Sequence, residues 1–330
     1  MAIRFSLHGS VRSISQGVQR AKRMEELGYE AIFLADSQMT CLDPFQVLAL
    51  CALQTKHIRL GTAVTNMVYR DPTVLAGSAA TVNEISDGRA LLGLGTGDGP
   101  VYSLGRKATP MARFEEGLRE IRELFQGKPI TVSTGKVALR IGKIPVPLYV
   151  SVEGPRGLRV AGRAADGVIL GTGFDLPVLQ WARERISEGA KEAGRPVSDI
   201  DIIVAGMICV DADGDRARAI VRRRLANRAH HNFRFTLETV PPEELPAIKR
   251  FMDAFDITKP LEDRIDPALV SDYLLQRFSI AGTPEECVRR VRRLEAAGVN
   301  RLMLTPPETI YNEVMEAWAK DVMPYFRASS

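Results

Sequence analysis

Short apolar runs alternate with amphipathic stretches of helical length along this chain, and that alternation constrains its fold more than any single motif does. A strand, a helix and a further strand form the unit from which parallel α/β sheets are built. Residues 3–8 make the first apolar run; an amphipathic stretch over 15–27 follows and stops at Gly28, a residue suited to a helix C-terminus. Further strands are predicted at 30–35, 58–64, 90–95, 147–152, 166–171, 201–210 and 301–304. Helical patterns at 44–56, 72–86, 110–126 and 284–297 lie between them, and another closes the chain.

Eight such units without a compositional break predict one (β/α)8 TIM barrel over residues 1–330, in preference to an open doubly wound sheet. Two insertions interrupt it, one at about 128–146 that reads as a hairpin and a polar, proline-containing one at about 228–266. The second, with Arg228, His230, His231, Phe233, Arg234 and Phe235, is expected to cover the barrel mouth and meet an anionic or aromatic ligand, or else to be a flap or subunit contact.

Composition narrows the partners. Hydrophobic residues at 45% and charged residues at 25% are ordinary for a globular chain. The net charge of +4 is too small and too evenly spread to predict nucleic-acid binding. The basic runs Arg222–Arg224 and Arg289–Arg293 read as solvated helix faces. Cys41, Cys51, Cys209 and Cys287 are scattered without zinc-ligand spacing. No apolar run reaches membrane-spanning length and no signal-like start is present, so the expectation is a cytoplasmic protein with a small-molecule substrate and no membrane partner.

In a barrel the residues after each strand converge on one face, which lets a site be assembled from sequence. Here they are His8, Asp36, Ser37, Thr62 to Asn66, Thr96 to Asp98, Ser151 to Pro155, Gly171 to Gly173 and Thr305 to Pro307. Of four histidines only His8 falls at a strand end, which argues against a metal site, and no strand ends in the lysine that Schiff-base chemistry needs. The stretch Gly88 to Gly99 reads as a buried strand opening into a glycine loop, but Pro100 follows instead of the helix that a dinucleotide fingerprint requires. Small polar groups and glycines suit an organic cofactor: Ser151, Gly154 and Pro155 open a helix, with Glu153 beside them as a further cofactor contact, and Gly171, Thr172 and Gly173 follow the sixth strand, as phosphate loops or as ordinary caps and turns.

At these positions the chain resembles the luciferase-like family of flavin- and deazaflavin-dependent oxidoreductases, in its methylenetetrahydromethanopterin reductase-like branch. The carriers are Gly28 to Asp36, Ile58 to Asn66 with Arg70, Asp71 and Pro72, Ser86 to Asp98, Pro145 to Val150 and Ala164 to Gly171. The resemblance implies a cofactor ring in the barrel mouth, backed by a bulge whose non-proline cis peptide would by position be Ala63-Val64. It implies cofactor contacts at Thr65 and Asn66 and at Gly95, Thr96, Gly97 and Asp98, phosphate-loop roles for Gly154 and Gly171 to Gly173, and a homodimer. Asp36 matches a family aspartate that would act as general acid or orient the ring, a loop cap being the plainer role. The next position, often histidine in the deazaflavin enzymes, is Ser37 here. His8 reads either as an acid/base group or as a hydrogen-bonding group across the mouth, and Arg89, which precedes its strand, as structural. The implied activity is hydride transfer between coenzyme F420 and an organic acceptor. FMN, in a monooxygenase or a reductase, is the alternative, and a non-catalytic flavin-binding protein the third reading.

Overall fold

A computed structural model describes residues 2–256, 258–259 and 263–326; residues 257 and 260–262 of the expected second insertion, and the two chain ends, lie outside the described residues. The strands are β1 (Arg4–Gly9), β2 (Ala31–Leu34), β3 (Arg59–Thr62), β4 (Thr65–Asn66), β5 (Ala90–Gly95), β6 (Ile130–Val132), β7 (Gly135–Val137), β8 (Leu148–Ser151), β9 (Gly167–Leu170), β10 (Asp201–Val210), β11 (Ser279–Gly282) and β12 (Arg301–Thr305). Strands β1, β2, β3, β5, β8, β9, β10 and β12 pair in parallel in that order, and β12 returns to β1 through Arg4↔Arg301 and Leu7↔Leu304. The result is a closed eight-stranded barrel ringed by helices. All eight expected strands are present within two residues of their predicted bounds.

Helix starts follow from local chemistry. Ser13, Asp43, Asp71 and Thr283 each accept a hydrogen bond from an amide two or three residues on, satisfying donors that a helix N-terminus leaves free. Gly28 takes φ 84° and ends the first helix, a left-handed conformation that costs glycine little.

The strands read as continuous apolar runs because both faces are covered. Ile32, Leu34, Leu92, Leu94 and Val150 pack outward with the helices. Ala31, Phe33, Leu91, Tyr149, Ile169, Ile203 and Met303 fill the barrel interior, so the barrel is a packed core and only its mouth is open.

The first insertion is the expected hairpin, β6 against β7. The second, among its described residues, carries the helices Ala226–Thr236 and Leu245–Ala254. It is followed by β11, which the sequence reading lacks. β10 has ten residues, enough to pair with β9 and β12 at its start and with β11 through Met207↔Ser279 and Val210↔Gly282 at its end.

At the end of the barrel opposite the mouth, Arg301 lies almost wholly buried, donating from Nε to Glu30 Oε2 at 3.0 Å and from Nη1 to the Tyr149 hydroxyl at 3.0 Å and to Asp201. The Tyr149 hydroxyl donates to Asp201 Oδ2 at 2.6 Å, and Arg4 reaches Glu30 Oε1 at 3.1 Å. Arg89, near the start of β5, is structural: its guanidinium donates to the carbonyls of Ala52, Thr55, Ile58 and Ser86.

Candidate active site

The mouth takes its shape from an interruption in one strand. β3 pairs with β5 only at Leu60↔Ala90 and Gly61↔Leu91, and pairing resumes at Thr65↔Leu94 and Asn66↔Gly95. Between them the Thr62 hydroxyl replaces backbone pairing, donating to the Gly93 carbonyl at 2.8 Å and accepting from the Gly93 amide at 3.0 Å. Ala63 and Val64, freed from the ladder, project into the mouth as a bulge, and the peptide between them is cis. A Cβ at Gly93 would overlap the Thr62 carbonyl, and one at Gly95 would lie 2.8 Å from Val64 Cγ2. Two of the glycines that make β5 conspicuous in sequence are therefore explained by the bulge they make room for.

The bulge stands between two lobes. The first, about 650 Å³, is lined by Ala35, Asp36, Ser37, Thr65, Asn66, Gly95 to Asp98 and Ser151 to Gly157. The second, about 520 Å³, runs under the insertion and is lined by Ser10, Gly171, Ala205 to Met207, Met303, Arg224, Asn227, His230, Phe255 and Arg264. His8, Ala63, Val64, Asp98, Ser151, Arg228, His231 and Arg234 border both.

Asp36 is buried and already engaged. It accepts from the Thr65 hydroxyl at 2.7 Å and from Arg70 Nε at 3.1 Å, while Arg70 Nη2 also binds Asp43 Oδ2 at 2.7 Å. Held by the Thr65 hydroxyl and the Arg70 guanidinium, Asp36 is placed to position Thr65. The Ser37 hydroxyl takes the Thr40 hydroxyl at 2.8 Å. Asn66 turns its Oδ1 to the amides of Val68 and Tyr69 at 3.0 and 3.3 Å, so its oxygen caps the following turn and is not free to read a ring edge.

His8 Nδ1 lies 3.2 Å from the Thr305 hydroxyl, and Nε2 is buried without a hydrogen-bond partner among the described residues. Burial lowers its pKa to about 4, with the Arg228 charge acting in the same sense and the Ala63 backbone opposing, so the ring is neutral at physiological pH.

The helix Ala226–Thr236 carries groups that sequence reading placed only loosely over the mouth. Arg228 pairs with the buried Glu153, which also accepts from Asn232 Nδ2 at 2.9 Å. Burial lowers the Arg228 pKa to about 10, which leaves it charged. His231 Nδ1 lies 2.9 Å from Asp98 Oδ1; against the upward push of burial, that contact and the charges of Arg228 and Arg234 hold Asp98 below the usual carboxylate range. Arg277, wholly buried, fixes this helix from beneath by donating to Asn232 Oδ1 at 3.1 Å and to the hydroxyls of Thr236 and Thr239 at 3.2 and 2.9 Å.

Two expectations need correction. Thr172 and Gly173 do not form a phosphate loop at the mouth: the Thr172 carbonyl accepts from Arg277 Nε, and a Cβ at Gly173 would overlap the Arg277 carbonyl, so both sit beneath the lid helix. Gly171 does border the second lobe, where a Cβ would overlap the Arg228 guanidinium. The run Arg222–Arg224 is not a uniform solvated face. Arg222 binds the Val270 carbonyl and Asp272, and Arg224 reaches the second lobe.

Comparison with known proteins places this geometry. The sequence profile described as luciferase-like monooxygenase matches residues 2–301. The chain is 29% identical over 296 residues to 5,10-methylenetetrahydromethanopterin reductase of Methanolobus tindarius, covering 87% of this chain and 89% of that protein. It is 26% identical to F420-dependent glucose-6-phosphate dehydrogenase of Amycolatopsis mediterranei (strain U-32), covering 94% of each. Among solved structures, the coenzyme F420-dependent tetrahydromethanopterin reductase of Methanopyrus kandleri superposes with a TM-score of 0.80 at 24% identity, over 99% of this chain and 100% of that one.

Proposed function

We propose, from the premise that this chain belongs to the luciferase-like monooxygenase family, that it is an oxidoreductase transferring hydride between coenzyme F420 and an organic acceptor. The observation that carries the reading is the apolar bulge Ala63-Val64 standing between two lobes, beside a buried histidine nitrogen with no partner among the described residues. A planar heterocycle needs an apolar face to lie on and a few polar atoms at its edge. Val64 and Ala63 would supply the face; His8, Thr96 and Ser37 would supply the edge.

The coenzyme's anionic tail fits the first lobe. Helix Pro155–Ala164 begins there with Gly154 as its N-cap and no side chain capping it, and Arg156 lines the same wall. An uncapped helix N-terminus favours an anion. Glu153 does not oppose one, because Arg228 and Asn232 already engage it. When bound, the reduced coenzyme supplies the hydride. The protein orients ring and acceptor, excludes water beneath the lid helix, and offers neutral His8 to hold a proton at Nε2; Asp36 acts through Thr65 and Arg70 as a positioning residue.

Helices Pro44–Gln54 and Pro72–Ile85 support the homodimer that the family resemblance implies. Leu53 is 67% exposed, Val74 51% and Leu50 39%, an apolar outer surface on adjacent helices. Light scattering on the eluted protein reads this directly, and a monomer mass would end the dimer reading. Among the described residues no helix is long and apolar enough to cross a membrane, and four unpaired cysteines fit a cytoplasmic setting.

Ser37, standing where deazaflavin enzymes often carry histidine, favours FMN as the second reading. Titration with coenzyme F420 and with FMN, each oxidised and reduced, followed by fluorescence, separates the two. Preferential F420 binding with no oxygen consumption is the expected result. Preference for reduced FMN with oxygen uptake would move the protein to the monooxygenases, and binding of neither would remove the assignment.

A further inference from the structure

We infer that the second lobe is the acceptor site, and that it takes an acceptor with a short apolar body and an anionic end, a carboxylate or a phosphate monoester, held by Arg224 and Arg264. The inference rests on the reading above, in which coenzyme and acceptor meet over the bulge.

The argument is one of charge compensation. Arg224, Arg228, Arg234 and Arg264 all line this lobe, and among the described residues the carboxylates on its wall are Asp98 and Glu308. Both carboxylates are committed. Asp98 is held by His231, and Glu308 accepts from Arg20 Nη2 at 2.8 Å and from Gln16 Nε2 at 3.4 Å. Of the arginines, Arg228 is matched by Glu153, and Arg234 lies over the rings of Tyr102 and Phe235. Arg264 meets only neutral acceptors among the described residues, Asn227 Oδ1 at 2.7 Å and the Lys259 carbonyl at 3.1 Å. The Arg224 side chain has no acidic partner among them. Two half-buried guanidinium groups in a concave lobe, neither neutralised by a carboxylate among the described residues, form a site for a ligand's negative charge.

The rest of the lobe sets the size and character of what carries that charge. Ala205, Met207 and Met303 line it alongside the bulge. On the insertion side His230 stacks on Phe255 at 4.0 Å and 11° between planes, and burial lowers the His230 pKa, so this shelf adds aromatic surface without further charge near neutral pH. A molecule with its reducible carbon over Val64 and its anionic group toward the insertion would satisfy both sides of the lobe.

An anionic group could also come from the coenzyme's own tail, and the test separates the two sources. Phenyl phosphate is the probe, phenol its uncharged control, and calorimetric titration of wild type, R224Q and R264Q, each with and without coenzyme F420, is the measurement. The expected result is phenyl phosphate binding to the F420-loaded wild type, weakened about tenfold or more in each variant, with phenol unaffected and F420 affinity changed less than about twofold. Competition between phenyl phosphate and F420, or an F420 affinity that falls with the variants, would assign the arginines to the coenzyme and overturn the inference. So would phenyl phosphate binding that is absent in wild type or unchanged in both variants. Retained F420 binding shows that the variants fold. Should wild type not bind F420 at all, the functional reading fails, and titration of the unloaded protein still tests the lobe.

Discussion

The two ends of the barrel handle buried polarity in opposite ways. At the closed end Arg301 is matched by Glu30, Asp201 and the Tyr149 hydroxyl, and Arg89 spends its donors on carbonyls of neighbouring loops. At the open end His8 keeps an unpaired ring nitrogen, and Arg224 lacks an acidic partner among the described residues. Desolvating a polar group without pairing it costs free energy, so a fold that matches its buried arginines with acids and carbonyls at one end and leaves an arginine without an acid at the other has placed unmet charge where a ligand can meet it. The closed end serves stability, and the open end binding.

The largest effect should come from the closed end. Arg301→Met leaves Glu30 and Asp201 without their shared cation, and loss of one partner from a buried ion pair costs about 3 to 5 kcal/mol. Urea unfolding should show that loss, while the coenzyme F420 affinity of the folded variant stays near wild type. An affinity that collapses together with stability would show that the two ends are coupled and the contrast between them is false.

His8→Gln should act at the open end and only in acid. Burial lowers the His8 pKa to about 4 in the folded protein against 6.5 for a free imidazole, so the unfolded chain takes up the proton first and stability is lost as pH falls through that window. Removing the histidine should flatten the decline between pH 6.5 and 4 by about 2 kcal/mol, a difference measured by unfolding both proteins across the range. Parallel curves would mean that His8 is already solvated or paired, and that its nitrogen is not the open polarity it is taken for.

The smallest effect belongs to Thr65→Val. It deletes the 2.7 Å hydrogen bond to Asp36 but leaves the Arg70 pair in place, so the stability loss should be about 1 kcal/mol. F420 affinity should fall further than that loss explains, because Thr65 follows directly on the bulge. Unchanged affinity would restrict the Asp36 network to a structural role.

Much of the closed architecture was legible because strand and helix periodicities, caps and turn glycines are local signals. Gly28, read as a helix stop, is one, and Ser13, Asp43, Asp71 and the Thr283–Glu286 capping box, which stand at the starts of the expected helical stretches, cap those helices. β11 was missed because Ser279 to Gly282 carries one large apolar side chain, Ile280, although its place just before a capping box was a usable cue. The lid helix was harder. Ala226, Ala229, Phe233 and Thr236 bury at helical spacing, but the intervening arginines and histidines masked that stripe as polar loop. Most of the strand-end residues named from sequence were legible as lining of the two lobes, since a barrel sends strand ends to one face, Thr172 and Gly173 excepted. Their individual duties were not, because these depend on partners distant in sequence: Asn66 spends its oxygen on its own turn, Thr172 and Gly173 serve Arg277, and Gly171 yields space to Arg228.

The length of β10 has a consequence for how such a chain diversifies. Because its far end is paired in register with β11, the segment that departs after Val210 re-enters at Ser279 beside Met207, in the same sheet it left. Both joints are hydrogen-bonded strand, and the strand pairing that closes the barrel runs through β12 and not through what lies between them, although Val221, Phe233 and Phe278 of that stretch are buried in the core. The intervening stretch is thus a cassette: another sequence that keeps its buried apolar positions could be spliced between these two strands, changing the wall of the second lobe while the scaffold that presents the bulge stays as it is.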